Sequence, residues 1–198
     1  TLKRSELEAF FKQANQACQI LQTNLNRASE LIRSFKQVAV DQTVDDLRNI
    51  NLKKYIDEIL LSIGPSFNYS KVTIESDCDE DIDIETHPGA LSQIISNLAL
   101  NSVTHAYDES SEGTIKIKSY QDNDDIIIEY TDDGKGISKQ DLKNIFTPFF
   151  TTRRGTGGSG LGLSIVYNLV TGTLKGNITA DSEEGKGASF RIAFPKKG

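Results

Sequence analysis

Apolar or small residues recur at Leu7, Phe11, Ala14, Cys18, Leu21, Leu25, Ala28, Ile32, Phe35 and Ala39. The steps alternate four and three without a break, which is the seam of a heptad repeat. Ser5 followed by Glu8 makes a capping-box pattern at its start, and no glycine or proline appears before Gly64 and Pro65. The pattern predicts one long helix from Ser5 to about Val40. A lone helix cannot bury such a stripe. It must lie on its own globular domain or pack on another helix, and the sustained period of seven favours the second. The expectation is a homodimer formed through residues 7–39.

Residues 41–49 are polar and predict a linker, after which the grammar changes to mixed α/β. Asn51 to Ser62 has the spacing of an amphipathic helix, stopped by Gly64-Pro65. Lys71 to Ser76 and Ile82 to Thr86 predict short strands. His87 to Tyr107 predicts a helix, with Pro88 tolerated in its first turn. Strands follow at Thr114 to Tyr120 and Asp125 to Thr131, joined by a turn at Gln121 to Asp124. Ser138 to Ile145 predicts a short helix with Ser138 as cap, and Leu161 to Val170 another. Strands at Asn177 to Ser182 and Ala188 to Phe194 close the pattern. The predicted organisation is a helical region (1–40), a linker (41–49) and one α+β domain (50–198).

Composition narrows the functional classes. Of 198 residues, 37% are hydrophobic and 25% charged, as in an ordinary soluble protein. A net charge of −6 argues against nucleic acid as a partner, since binding it needs a basic face. No apolar run approaches the ~20 residues of a membrane span. Methionine is absent altogether, and the expectation is therefore a piece of a longer protein. Cys18 and Cys78 stand alone without zinc-like spacing and predict reduced thiols in a cytoplasmic setting.

Three clusters could carry chemistry. Gln93, Asn97, Asn101 and His105 each lie four residues from the last, so they form one polar stripe on an otherwise apolar helix. Buried asparagines need partners. These either hydrogen-bond the protein or face a polar ligand, for which their amide oxygens suit Mg²⁺. At the end of a strand stands Asp132-Asp133-Gly134-Lys135-Gly136-Ile137. It is either a simple acidic turn or a place where a flat ligand approaches the backbone, with a carboxylate to accept from an exocyclic amine. Third comes Phe146-Thr147-Pro148-Phe149-Phe150-Thr151-Thr152-Arg153-Arg154, followed by Gly155-Thr156-Gly157-Gly158-Ser159-Gly160-Leu161-Gly162-Leu163. Glycines at a helix start free backbone N–H groups for an anion, and two arginines add positive charge.

Gly155, Gly157 and Gly160 also match the G-x-G-x-x-G dinucleotide fingerprint. That motif needs a buried strand immediately before it. A proline-containing aromatic segment and two arginines stand there instead, so this reading is set aside.

Taken together and in order, these segments resemble the ATP-binding domain of sensor histidine kinases, within the wider group that includes Hsp90, MutL and DNA gyrase. Asn97-x-x-x-Asn101-Ser102-x-x-His105-Ala106 resembles the N box and Asp132 to Ile137 the G1 box. Phe146 to Phe150 resembles the F box, Gly158 to Leu163 the G2 box, and Gly185-Lys186-Gly187-Ala188-Ser189-Phe190 the closing strand motif. The F box and His105 point to the kinase branch.

The resemblance implies a Bergerat fold: a two-layer α/β sandwich with a mixed five-stranded sheet and three helices, here preceded by the heptad helix. It implies ATP and Mg²⁺ as cofactors. Asp132 would recognise the adenine amine together with Ser189, and Gly134, Gly136 and Ile137 would admit the base. Asn101 would hold Mg²⁺, with Asn97 and His105 beside it. The lid, about Arg153 to Ser159 and including Arg154 and Gly158, would close on the triphosphate, with Phe149, Thr151 and Thr152 also in the ATP site. Gly160 and Gly162 would present backbone N–H groups to the triphosphate, with Leu161 and Leu163 beside them in the ATP site. Thr104 stands where many relatives carry lysine, so Arg153 or Arg154 would replace that phosphate contact.

By the same resemblance the heptad helix is the second helix of the dimerisation and phosphoacceptor region, without the acceptor histidine. The implied partners are a phosphoacceptor helix of the same kinase and the receiver domain of a response regulator. The parent would be membrane-anchored, with this domain on the cytoplasmic side. Two other classes stay open: an ATPase clamp of the Hsp90 or MutL type, and a nucleotide-gated dimerisation module. The clamp would need a glutamate in the N-box helix, and four residues before Asn97 stands Gln93.

Overall fold

The structure, a computed structural model, describes residues 10–22, 24–25, 47–64, 71–108, 111–152 and 158–196. Residues 10–22 and 24–25 are helical. Phe11, Leu21 and Leu25 of the heptad seam are 61%, 60% and 70% exposed, so nothing among the described residues covers them. Leu7, Ala28, Ile32, Phe35 and Ala39 lie outside the described residues.

The α+β unit opens with β1 (Arg48–Asn51), where the sequence predicts linker up to residue 49. It pairs antiparallel with β3 (Asp83–Thr86), setting Ile50 opposite Ile84. Asn51 ends the strand and caps the next helix. Its Oδ1 accepts from Lys54 N at 3.1 Å, while its Nδ2 donates to Glu80 O at 2.8 Å. One N-cap of this kind contributes about 1 kcal/mol. Helix α1 (Leu52–Ile63) then buries Leu52, Ile56 and Ile59.

Five strands form the main sheet in the order β2 (Lys71–Cys78), β4 (Glu112–Asp122), β5 (Asp125–Asp132), β7 (Ala188–Pro195), β6 (Asn177–Ser182). Only β2 and β4 run parallel, so the sheet is mixed, as the resemblance implies. Ile126, Ile128, Tyr130 and Asp132 alternate onto one face of β5, and each is buried. Their partners on β7 are Phe194, Ile192, Phe190 and Ala188, also buried. Such alternation gives the sheet one core face.

That face is covered by α1, by α2 (Pro88–Asn101) and by α4 (Gly162–Asn168), with α2 packed between the other two. Helix α2 buries Ala90, Leu91, Ile94, Ile95, Leu98 and Ala99, which is why its polar stripe must occupy one edge. Short α3 (Lys139–Leu142) is capped by Ser138, whose Oγ accepts from Asp141 N at 3.1 Å. Both α2 and α4 end in a π-helical turn, at Ser102–Ala106 and Leu169–Thr173. The first wider turn falls where the chain meets the candidate site, a common place for such turns.

Candidate functional site

A cavity of about 700 Å³ opens between the C-terminal half of α2, the ends of β5 and β7, α3 and the start of α4. Asn97, Asn101, His105, Asp132, Gly136, Ile137, Thr151, Thr152, Gly158, Ser159, Gly160, Gly162 and Leu163 all line it. Segments as far apart in sequence as residues 97 and 163 therefore converge on one space. Arg153 and Arg154 lie outside the described residues. Phe149, Leu161, Gly134 and Ser189 do not line the cavity. Phe149 is 60% exposed, and Phe150 takes the lining position instead. Gly134 packs against Ala106, which does line the cavity. Ser189 pairs with Thr131 rather than with Asp132, and strand alternation turns it to the opposite sheet face. It cannot share a ligand with Asp132 from there. The β7 residue that does reach Asp132 is Ala188, through its backbone.

Asp132 is 7% exposed and is held by three donors. Its Oδ1 accepts from Gly134 N at 3.1 Å and from Ala188 N at 3.3 Å. Its Oδ2 accepts from Ser102 Oγ at 2.8 Å. Burial raises the carboxyl pKa above its ordinary value, opposed by the Ser102, Gly134 and Ala188 hydrogen bonds. A carboxylate offers about four acceptor positions. Three are filled, and the one left, on Oδ2, suits a single N–H of a ligand.

Neighbouring bonds make the loop after β5 rigid. Lys135 N donates to Ala106 O at 2.9 Å, and Gly185 N to Lys135 O at 2.7 Å. Ile137 N donates to Ser182 Oγ at 2.8 Å. Gly136 sits at φ 72°, and a Cβ there would overlap the Glu183 carbonyl. Only glycine fits both demands. On the outer side Asp133 Oδ1 accepts from Tyr107 Oη at 2.9 Å and from Thr114 N at 2.8 Å. Burial and that bond push the Tyr107 hydroxyl pKa upward.

Asn101 supplies a second diagnostic. Its Nδ2 is buried with no hydrogen-bond partner among the described residues. Buried amides are normally satisfied. Gly162 at the start of α4 leaves the space in front of it, since a Cβ would sit 3.1 Å from Nδ2 and 3.2 Å from Oδ1. Carboxylates of Asp132, Asp141 and Glu184 line the cavity, and Lys135 is its one lysine or arginine among the described residues. An anionic ligand would therefore need to bring cations with it.

A family model described as histidine kinase-, DNA gyrase B-, and HSP90-like ATPase matches residues 86–198, more than half of the chain. The chain belongs to this family. Membership implies ATP binding. Sensor histidine kinase ZraS of Salmonella typhimurium is 35% identical over 174 residues, covering 86% of this chain and 35% of the relative. ZraS of Escherichia coli strain K12 is 29% identical over 184 residues, covering 92% and 38%. Sporulation kinase A of Bacillus subtilis is 31% identical over 179 residues, covering 90% and 28%. The chain thus spans less than two fifths of these curated relatives.

Among solved structures, the nucleotide-free catalytic domain of histidine kinase ThkA aligns with a TM-score of 0.67 and 27% identity, over 77% of this chain and 97% of that one. ThkA in complex with response regulator protein TrrA aligns with a TM-score of 0.70 and 23% identity, over 87% and 49%. Both likenesses show a shared fold.

The sequence did not single out Ser102, Tyr130 or the Ala188 amide as parts of the site. Tyr130 Oη donates to Ser102 Oγ at 2.8 Å, beneath the Ser102–Asp132 bond. Strand alternation puts Tyr130 and Asp132 on one face, a signal available in the sequence.

Proposed function

We propose that this chain is the ATP-binding catalytic part of a sensor histidine kinase, passing the γ-phosphoryl group of ATP to a histidine on a phosphoacceptor helix. From there the group would go to an aspartate of a response-regulator receiver domain. The observation that carries the reading is the single unspent acceptor position on buried Asp132, at the floor of a cavity large enough for a nucleotide. The kinases among the relatives and the ThkA–TrrA complex support the choice of phosphoryl acceptor and partner.

In this reading Asp132 accepts from the adenine amine, and Gly136 and Ile137 flank the base. Asn101, with its unpartnered amide, faces the phosphates, and the amide turned over offers its oxygen to Mg²⁺. Mg²⁺ would neutralise phosphate charge that the acidic lining repels. Asn97 and His105 stand beside Asn101 on the same helix edge. Arg153 and Arg154 supply lid charge, and Gly160, Leu161 and Gly162 supply backbone N–H groups. Phosphoryl transfer depends mainly on such positioning and charge neutralisation.

The domain organisation we propose is a dimerisation helix through residues 7–39, a linker, and the catalytic domain. The exposed seam at Phe11, Leu21 and Leu25 supports the homodimer. No helix among the described residues is long and apolar enough to cross a membrane. Anchoring and a cytoplasmic position belong to the parent protein by analogy with sensor kinases. Radiolabelled ATP with this chain and a separately supplied phosphoacceptor domain tests the reading. Label should appear on the acceptor histidine. ATP binding without transfer to any such domain would favour a clamp or a nucleotide-gated module.

A further inference from the structure

Ser102 and Tyr130 lie under the carboxylate that the reading above assigns to the adenine amine. Ser102 is 4% exposed and Tyr130 1% exposed, and Ser102 lines the cavity with Asp132. Their three oxygens form a chain, Tyr130 Oη to Ser102 Oγ at 2.8 Å and Ser102 Oγ to Asp132 Oδ2 at 2.8 Å.

The direction of that chain is fixed by its ends. An ionised carboxylate can only accept, so the single Ser102 proton points to Oδ2. The Tyr130 proton must then point to Ser102. Oδ1 is already filled by two backbone N–H groups. What remains for a ligand is one lone pair on Asp132 Oδ2 and one on Ser102 Oγ. Both are acceptors, and no donor is left.

We propose that Ser102, held by Tyr130, makes the base-recognition site blind to hydrogen-bond acceptors, so that it selects a 6-amino purine against the 6-oxo purine of the same shape. A 6-oxo group would meet two lone pairs with no proton between them. A water in place of Ser102 Oγ would behave differently. It carries two hydrogens, one for Oδ2 and one for the ligand, and so would serve either purine. Ser102 is in this view a specificity-determining residue, and Tyr130 a positioning residue that acts through it.

The inference rests on the ATP-binding reading, and one set of titrations separates the two. Affinities of ATP and inosine triphosphate are measured for the wild-type chain, Ser102→Ala and Tyr130→Phe. The wild type should prefer ATP by about a hundredfold or more, because a site with unmatched polar groups rejects strongly. Ser102→Ala should narrow that preference by about tenfold, mainly by tighter inosine triphosphate binding, as an adaptable water takes over. Tyr130→Phe should narrow it in the same direction by a smaller factor.

A merely structural role would weaken both nucleotides alike. A preference unchanged within twofold in both variants overturns the inference and leaves the ATP-binding reading standing. A wild type that binds neither nucleotide overturns the reading itself. Should Ser102→Ala fail to fold, Tyr130→Phe, which removes one hydroxyl and keeps the ring, decides alone.

Discussion

Gly187 lies against the backbone of Asp132, so close that a Cβ on Gly187 would overlap the Asp132 carbonyl oxygen. Its φ of 82° is also one that other residues resist. Gly185, two residues earlier, has nearly the same φ, 81°, but open space around it. The pair separates strain from collision. Gly185→Ala should cost about 1 kcal/mol for the left-handed backbone alone. Gly187→Ala should cost about 2–4 kcal/mol, since the strand pair must part to admit the methyl. Urea unfolding of both variants checks the order.

Asp132→Asn should lose most adenine-nucleotide affinity with the fold intact. Replacing a charged acceptor costs about 1.5–3 kcal/mol, or roughly tenfold to a hundredfold in binding. Calorimetry with ATP gives the answer directly, and unchanged affinity would remove Asp132 from the site.

The raised pKa of Asp132 makes that affinity pH-dependent. Protonation turns Oδ2 from acceptor to donor. ATP binding should therefore weaken as pH falls through the raised folded-state pKa, earlier than an ordinary carboxylate would allow. Stability moves the other way. A carboxyl whose folded pKa is raised takes up its proton more readily in the folded chain, so its contribution improves as pH falls towards the unfolded value. Nucleotide titrations across acidic pH should show the loss of affinity in the wild type and a flatter profile in Asp132→Asn.

Asn101→Ala should weaken ATP binding with Mg²⁺ far more than without it. Its Nδ2 is one of the buried side-chain atoms left without a hydrogen-bond partner among the described residues, and Gly162 keeps the space before it open. Equal losses with and without Mg²⁺ would make Asn101 a packing residue.

The purified chain with Mg²⁺ and ATP should acquire no phosphohistidine. Its two histidines are His87 and His105. His105 lines the cavity but belongs to the rigid turn after α2, which restricts its approach to the reacting phosphorus. His87 lies eighteen positions away, about 27 Å along a helix axis. Mass spectrometry under conditions that preserve acid-labile phosphate tests this. Adding a phosphoacceptor hairpin should bring label to the added histidine only.

Much of this site was legible because its residues come in motifs whose spacing follows the helix and the strand. The four-residue step from Asn97 to His105 needs only helical periodicity, and Asp132 marks the end of an alternating strand. Three features were not. Strand β1 has one apolar residue, Ile50, and exists because β3 pairs with it, which local composition cannot show. Ser189 was placed at the base by motif, although its alternation with Ala188 turns it to the other face. The Tyr130–Ser102–Asp132 chain joins two elements through side-chain protons, and no sequence period encodes that.

The bond from Ala188 N to Asp132 Oδ1 spans 56 residues of chain. Closing so long a loop is slow relative to forming the neighbouring β4–β5 hairpin, because chain entropy must be lost before the contact is gained. Until β7 docks, Asp132 lacks one of the three donors that make its burial tolerable. The full set of donors on the Asp132 carboxylate is thus complete only when β7 has paired with β5. A chain ending before Ala188 would leave the Asp132 carboxylate with two donors, Ser102 and Gly134, both from segments that precede β7 in sequence.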